Sequence, residues 1–206
     1  MLLLELGIPF TAIPMKEGHN RLYEGADGTG LSREAFLKAS PMGYVPALTI
    51  DHETTITELS AVLFYISSLA PERGMTGHGA VENAKVLQWM SWLSTTLNEY
   101  GFAGYWRPSR MVGPEASSEA EEAVRAEGKK TILKGFDILE GWLDGTGYAV
   151  GGHLTVVDFM LQWGKTGFDM DRYPRFRDVA RRAEQLPSVR QALRIEGIEM
   201  EFEGQK

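Results

Sequence analysis

Two patterns of hydrophobic and polar residues divide the chain near residue 75. Over the first seventy residues, short runs typical of strands alternate with short runs that have helical spacing. From about residue 80 onward, every hydrophobic run has the helical period. The sequence therefore predicts an α+β fold, with a small α/β domain over residues 1–70, a short linker at 71–79 and an all-helical domain over 80–206.

The N-terminal end of the predicted α/β domain begins with a short helix. Residues 2–6 have the composition of a helix end, and Gly7 is the type of residue that commonly follows one. Residues 8–15 are rich in β-forming side chains but contain two prolines, which favours an edge strand. Residues 17–30 have turn chemistry and predict a long loop.

A helix, a hairpin and another helix are predicted next. Ser32 precedes the run 33–39 as an N-cap would. Residues 46–57 contain two β-rich runs joined by a polar turn, which indicates a hairpin. The run that begins at Glu58 has apolar residues at helical spacing up to Leu69.

The C-terminal part carries one local folding motif. Its predicted helices span residues 80–102, 115–145, 154–168, 173–187 and 188–195. Thr155 and Asp158 form a capping-box pattern, with Leu154 and Phe159 placed as a hydrophobic staple. We assign this motif to folding and give Asp158 no catalytic role.

Charge and composition narrow the classes of function. The net charge of -7 disfavours nucleic acid and anionic membranes as partners. No apolar run is long enough to cross a membrane, and the opening "MLLLEL" lacks the basic region of a signal peptide. The chain has no cysteine, which excludes disulfides, thiolate metal sites and mechanisms that need a protein thiol. The best basic cluster is expected to be a solvated helix face, and comprises Arg175, Arg177, Arg181 and Arg182.

The histidines give no signal for a metal site. His19, His52, His78 and His153 all fall in predicted loops or turns, and none has the spacing of a metal ligand set. We expect them to be surface residues.

One stretch has the features of a peptide-binding site. If the Val45-Pro46 bond is cis, the backbone of Val45 is free to pair with an extended ligand. The helix that starts near Glu58 offers unpaired N–H groups for a carboxylate, and Glu58 can hold an ammonium. The alternative is that Thr57 and Glu58 only cap the helix, and spacing alone favours this simpler interpretation.

These motifs resemble those of the glutathione S-transferase superfamily of the cytosolic type. The run 40–65 is similar to that family's "NPxGxVPxL…TESxAIxxYL", and residues 154–158 are similar to its "LTxAD". The helix that begins near residue 84 looks like the first long helix of its helical domain. The resemblance implies a thioredoxin-like N-terminal domain, an all-helical C-terminal domain, glutathione as cosubstrate or cofactor, no metal, a cytoplasmic location and a homodimer.

The resemblance also implies contacts to glutathione. By this resemblance, the backbone of Val45 pairs with the cysteinyl part of glutathione, and Pro46 holds Val45 in place. Glu58 takes the γ-glutamyl ammonium of glutathione. The remaining implied contacts are the N–H of Leu59, the side chain of Ser60 and Tyr44 near the glycyl end. Leu59 stands where the family has a serine, so a hydroxyl contact to the γ-glutamyl carboxylate is lost and weaker binding is expected.

In the family, a strand and the start of a helix precede the segment similar to "ELGIPF". That part carries the catalytic Tyr, Ser or Cys, and we find no counterpart for it in this chain, so the thioredoxin-like domain is expected to be incomplete. Hydrogen-bond donors to the thiol of glutathione must then come from the helical domain. Candidates for catalysis are Asn98, Tyr105 and Arg107, and candidates for the substrate pocket are Asn98, Tyr100, Tyr105, Trp106 and Arg110. The alternative is an aromatic core with exposed arginines.

Two functions remain open. One is an enzyme that adds glutathione thiolate to a small hydrophobic electrophile, either to give a stable adduct or reversibly as a cis–trans isomerase of a conjugated alkene. The other is a non-catalytic binding or assembly module, similar to the domain in elongation factor gamma. Thiol–disulfide exchange is excluded for this chain because it has no cysteine.

Overall fold

The protein combines two small antiparallel sheets with a bundle of helices. The computed structural model describes residues 1–17, 23–51, 53–162 and 167–200. The first sheet pairs β1 (Met15–Glu17) with β2 (Tyr23–Gly25), and the second pairs β3 (Ala47–Thr49) with β4 (Thr55–Thr57). This order of elements confirms the predicted α+β class.

The N-terminal segment differs from its prediction in two places. Helix α1 (Leu2–Glu5) ends as predicted, since Gly7 has a φ of 65°. The predicted strand at 8–15 is wrong over most of its length, because β1 begins only at Met15, beyond the two prolines that cannot donate to a ladder. The predicted loop at 17–30 contains β2, which pairs residue for residue with β1.

The elements that follow confirm the hairpin and both helices. Helix α2 (Arg33–Ala39) is capped by Ser32, whose hydroxyl oxygen accepts a hydrogen bond from the Ala35 N–H at 3.1 Å. In the hairpin, Ala47 of β3 faces Thr57 of β4. Helix α3 (Leu59–Ser68) starts directly after β4, so the hairpin fixes where that helix begins.

The remaining described chain is mainly helical and also contains a π-helical segment and two short 3-10 helices, Pro71–Arg73 and Met170–Arg172. The described helices are α4 (Ala80–Trp92), a π-helical segment (Leu93–Ala103), α5 (Gly104–Trp106), α6 (Ser109–Val112), α7 (Ser118–Trp142), α8 (Val156–Met160), α9 (Pro174–Gln185) and α10 (Pro187–Glu196). The predicted helix over 80–102 is confirmed in its extent, although its second half from Leu93 onward is π-helical. The prediction over 154–168 is too long, because α8 ends at Met160.

The capping box at α8 is confirmed. Asp158 is buried, and its two carboxylate oxygens accept hydrogen bonds from the N–H of Ala149 at 2.9 Å and the N–H of Thr155 at 2.8 Å. The Thr155 hydroxyl also donates to Asp158 at 2.9 Å. Burial raises the pKa of Asp158, and these hydrogen bonds oppose that rise. The carboxylate joins the loop before α8 to its first turn, as a folding role requires.

The predicted linker is packed against the helical part. Met75 is buried, and its carbonyl accepts a hydrogen bond from the Val156 N–H at 2.9 Å. Nearby, Glu5 of α1 accepts hydrogen bonds from Ser188 at 2.7 Å and Arg73 at 3.2 Å. The start of the chain is thereby tied to both the linker and α10.

Helix α7 crosses the π-helical segment at very close range, and a glycine makes this possible. A Cβ atom at Gly128 would lie 2.6 Å from the Tyr105 nitrogen, 2.8 Å from the Gly101 carbonyl oxygen and 2.9 Å from the Gly104 carbonyl carbon. All three are backbone atoms, which cannot rotate away as a side chain could. The backbones of α7 and the 101–105 segment are therefore in direct contact only because residue 128 has no side chain.

We expect Gly128→Ala to lower the free energy of unfolding by about 1–2 kcal/mol. Overpacking of this kind costs about 1–3 kcal/mol, and the higher helix propensity of alanine returns up to about 1 kcal/mol. Gly141→Ala is the matched control, because it lies in the same helix and a Cβ there meets no atom within 4 Å. Urea denaturation should show that this control is neutral or stabilised. Equal stability of the two variants would contradict the close crossing.

Candidate functional site

The loop before β3 has the backbone geometry that the sequence analysis anticipated. The Val45-Pro46 bond is cis. Val45 is 41% exposed, and within the described residues its N–H and carbonyl take part in no hydrogen bond. An extended ligand can therefore reach the backbone of Val45.

Two anchors hold this loop. The buried Ser40 hydroxyl accepts a hydrogen bond from the Tyr44 N–H at 3.2 Å and donates to the Tyr44 carbonyl at 2.8 Å. The Gly43 carbonyl accepts from the Tyr23 N–H at 3.2 Å, which ties the loop to β2. Residues 43–46 are thus fixed from both sides, and this preorganises them for binding.

Glu58 occupies an unusual backbone conformation beside this loop. Ala47 and Thr57 are the last paired residues of the hairpin, and Pro46 and Glu58 are the residues that flank this pair. Glu58 has a φ of 66°, and it is the one residue other than glycine with a positive φ in the part of the chain that the structure describes. A non-glycine residue held in this region costs about 1–3 kcal/mol and is typical of functional sites.

The side chain of Glu58 does not cap α3. It is exposed and makes no capping hydrogen bond, which removes the reason for the simpler interpretation of this residue. The first N–H groups of α3, beginning at Leu59, have no acceptor within the helix. The Leu59 side chain is 40% exposed. An exposed carboxylate and unpaired N–H groups therefore lie next to the Val45 backbone.

Ser60 points away from this group of residues. Its hydroxyl lies 3.2 Å from the Ser94 hydroxyl and 3.5 Å from the Met90 carbonyl. It thus links α3 to α4 and to the π-helical segment that follows α4. The sequence alone placed Ser60 elsewhere on the helix from Leu59, but it did not indicate these partners.

The candidate residues of the helical part fall into two groups. Tyr105 packs inward, with its ring 5.5 Å from that of Phe168, and Trp106 stacks on Phe102 with ring centroids 4.7 Å apart. Tyr100 and Asn98 are exposed. Asn98 follows Ser94 by four residues, about one turn, so it continues the helix face that meets Ser60.

The two arginines reach across to the N-terminal part. Arg107 donates a hydrogen bond to the Tyr23 hydroxyl at 3.4 Å, and this bond raises the pKa of Arg107 while burial opposes the rise. The Arg110 guanidinium lies 4.8 Å from the centre of the Tyr44 ring. The aromatic core expected by the alternative interpretation forms only in part, because Tyr105 packs inward whereas Tyr100 and Trp106 are exposed. Sequence spacing could not show the pairings with Tyr23 and Tyr44, which join distant parts of the chain.

The histidines and the helices give no other candidate chemistry. His19 and His52 lie outside the described residues. His78 and His153 stack at 4.5 Å. The expected surface position is confirmed for His78, which is exposed, and holds only in part for His153, which is half-buried. Among the described residues, no cluster of His, Cys, Asp or Glu could hold a metal ion. None of the described helices has the length and apolar character needed to cross a membrane.

Known proteins similar to this chain match it along most of its length. The family profile "Glutathione S-transferase, N-terminal domain" matches residues 1–74, and "Glutathione S-transferase, C-terminal domain" matches residues 96–162. Glutathione S-transferase GstA of Escherichia coli O157:H7 is 25% identical over 201 residues, which are 95% of this chain and 91% of GstA.

A solved structure is similar to this chain over most of its length, and a further protein is similar to part of it. A sphingomonad glutathione S-transferase complexed with glutathione has a TM-score of 0.74 and 29% identity, covering 96% of this chain and 92% of its own. Probable elongation factor 1-gamma 1 of Arabidopsis thaliana is 31% identical over 126 residues, which are 61% of this chain but only 29% of that protein. From the ordered pair of domain profiles and the shared fold, the chain belongs to the glutathione S-transferase superfamily.

Proposed function

We propose that the protein is a glutathione transferase whose glutathione site is formed by Tyr44–Pro46 and by Glu58–Leu59. In this proposal residues 1–70 form the glutathione-binding domain, and residues 80–206 form the substrate-binding domain. The observation that carries it is the cis Val45-Pro46 loop beside the positive φ of Glu58, since together they present free backbone groups and a carboxylate to one ligand. The sphingomonad relative, which was solved with glutathione, supports the choice of ligand.

The proposed reaction begins with the glutathione thiol, whose pKa lies near that of free cysteine, about 8.5. The protein must stabilise the thiolate with hydrogen-bond donors or positive charge. Of the three candidates, Asn98 fits best as a donor, because its amide is exposed and makes no hydrogen bond within the described residues. Tyr105 fits less well because its ring packs against Phe168. Arg107 also fits less well, because its guanidinium donates a hydrogen bond to the Tyr23 hydroxyl.

The thiolate then adds to a small hydrophobic electrophile. A carbon–sulfur bond forms, and the adduct either persists or reverts. Addition to a conjugated alkene followed by bond rotation and elimination regenerates the thiolate and yields the cis–trans isomer. Net consumption of glutathione separates the two outcomes.

The binding of glutathione should be measurable as a thermal shift. Glutathione at 100 times its dissociation constant should stabilise the fold by about 2.7 kcal/mol, which for a chain of this size raises the Tm by roughly 5–10 °C. We expect Glu58→Gln to raise the dissociation constant about tenfold, since a hydrogen bond to a charged group is stronger by about 1–1.5 kcal/mol than a neutral one. Glu53→Gln, in the exposed hairpin turn, is the matched control and should bind as the wild type does.

A non-catalytic binding module is the second candidate. Leu59 in place of the family's serine favours it, as does the 31% identity to an elongation factor 1-gamma. This candidate predicts no thermal shift at millimolar glutathione. A saturable shift in the wild type that is weakened in Glu58→Gln would argue against it.

We also propose that the protein is a homodimer. Phe64 on α3 is 61% exposed and Leu87 on α4 is 57% exposed, and these two helices pack against each other. Large exposed apolar side chains on neighbouring elements are typical of interfaces.

Sedimentation equilibrium should give twice the chain mass of 22.9 kDa. Phe64→Glu should shift the protein toward the monomer, because a charge would be buried at the interface. Ile195→Glu changes a side chain that is 60% exposed on α10 and should leave the mass unchanged. A monomeric wild type would refute the proposal.

A further inference from the structure

Two arginine side chains converge on the rim of the proposed cleft. The Arg110 N–H donates to the Arg107 carbonyl at 3.0 Å, so a single turn separates the two residues. Arg107 reaches the Tyr23 hydroxyl and Arg110 covers the Tyr44 ring. Both guanidinium groups therefore lie beside the loop that contains Val45 and Pro46.

The charge of these two arginines is poorly neutralised. In the described parts of the chain Arg107 forms no ion pair, and Glu17 is the carboxylate that acts on it from a greater distance. The carboxylate of Glu99 lies 3.8 Å from Arg110 and is 47% exposed, so this pair is weak. By contrast, Arg181 lies 3.0 Å from Asp178. Arg107 has no ion pair among the described residues and Arg110 has one long, partly exposed pair, so these two cations are a suitable site for an anionic ligand.

An exposed aromatic residue directly precedes these cations in the chain. Trp106 directly precedes Arg107, is 51% exposed and stacks on Phe102 at 4.7 Å. Exposed aromatic rings favour stacking with planar ligands. The combination suits a molecule with a flat, conjugated body and an anionic end.

We propose that Arg107 and Arg110 bind a carboxylate on the electrophile, so that the preferred substrates are small aromatic or conjugated acids rather than neutral molecules. The planar fork of a guanidinium matches the two oxygens of a carboxylate. This inference rests on the proposed function, because it assigns the second substrate of the same cleft.

Two electrophiles that differ in one group test the proposal. The neutral electrophile is 2-chloro-1,3-dinitrobenzene, and the acid is 4-chloro-3,5-dinitrobenzoate, which adds only a carboxylate para to the chlorine. In both, the glutathione sulfur forms a bond to the ring carbon, chloride leaves and the thiol proton passes to solvent. We expect kcat/KM, divided by the uncatalysed rate constant, to be at least tenfold higher for the acid. This preference should shrink as the salt concentration rises.

The arginine variants identify the groups responsible. Arg107→Gln and Arg110→Gln should each lower the acid-to-neutral ratio of kcat/KM about tenfold, mainly through the KM of the acid. Arg107→Lys should restore part of the ratio because it keeps the charge. Arg181→Gln, on the exposed face of α9, is the control and should leave the ratio unchanged. Equal losses for both electrophiles would overturn the proposal, as would a wild type without preference for the acid.

Binding of an unreactive acid separates this inference from the proposed function. Quenching of tryptophan fluorescence by 3,5-dinitrobenzoate should saturate in the wild type and weaken at least fivefold in Arg107→Gln. If glutathione causes no thermal shift while the acid still binds, the transferase proposal fails and the anion site stands. If glutathione binds but the acid does not, only the anion site fails. If Arg107→Gln and Arg110→Gln only raise the dissociation constant of glutathione, the guanidinium groups bind glutathione. That result would overturn the inference.

Discussion

The contact of Gly128 with the backbone of residues 101–105 sets the geometry of the helical part. Two helices can approach this closely only where one of them has no side chain, and here three backbone atoms fill the space of the missing Cβ. The crossing fixes α5 against α7, and the chain leaves α5 directly into Arg107. The position of both arginines over the N-terminal part therefore depends on a residue that touches neither of them.

The proposed site draws a different component from each part of the chain. The N-terminal part supplies backbone groups at Val45, held by the Ser40 hydroxyl, together with the carboxylate of Glu58. The helical part supplies positive charge and an aromatic surface. Rigid backbone groups suit a ligand that is always the same, and side chains suit a ligand that differs from one reaction to another. This division therefore fits glutathione as the fixed cosubstrate and an electrophile that other residues select.

The features that the sequence predicted correctly are those encoded over a few residues. The cap at Ser32, the hairpin at 46–57 and the capping box at Thr155 each depend on residues at most a few positions apart. The missed features depend on distant partners or on packing. Strand β2 is only three residues long and exists because β1 faces it, and the π-helical form of 93–103 leaves no periodic signal in the sequence.

For the site, sequence reasoning found the loop and Glu58 but not what surrounds them. The motif over residues 40–65 could locate Val45, Pro46 and Glu58 because they lie at the ends of one hairpin. It could not show that Ser60 turns toward Ser94, or that Arg107 meets Tyr23 across 84 positions of the chain. Such pairings arise only when the two parts of the fold are packed together.

The proposed glutathione site consists of the exposed backbone of Val45 and the first turn of α3. An amide NMR titration of the uniformly ¹⁵N-labelled protein with glutathione tests this site most directly. We expect the Val45 and Leu59 amide resonances to move most and to saturate with a single dissociation constant. Saturable shifts confined to other elements, or none at millimolar glutathione, would contradict it.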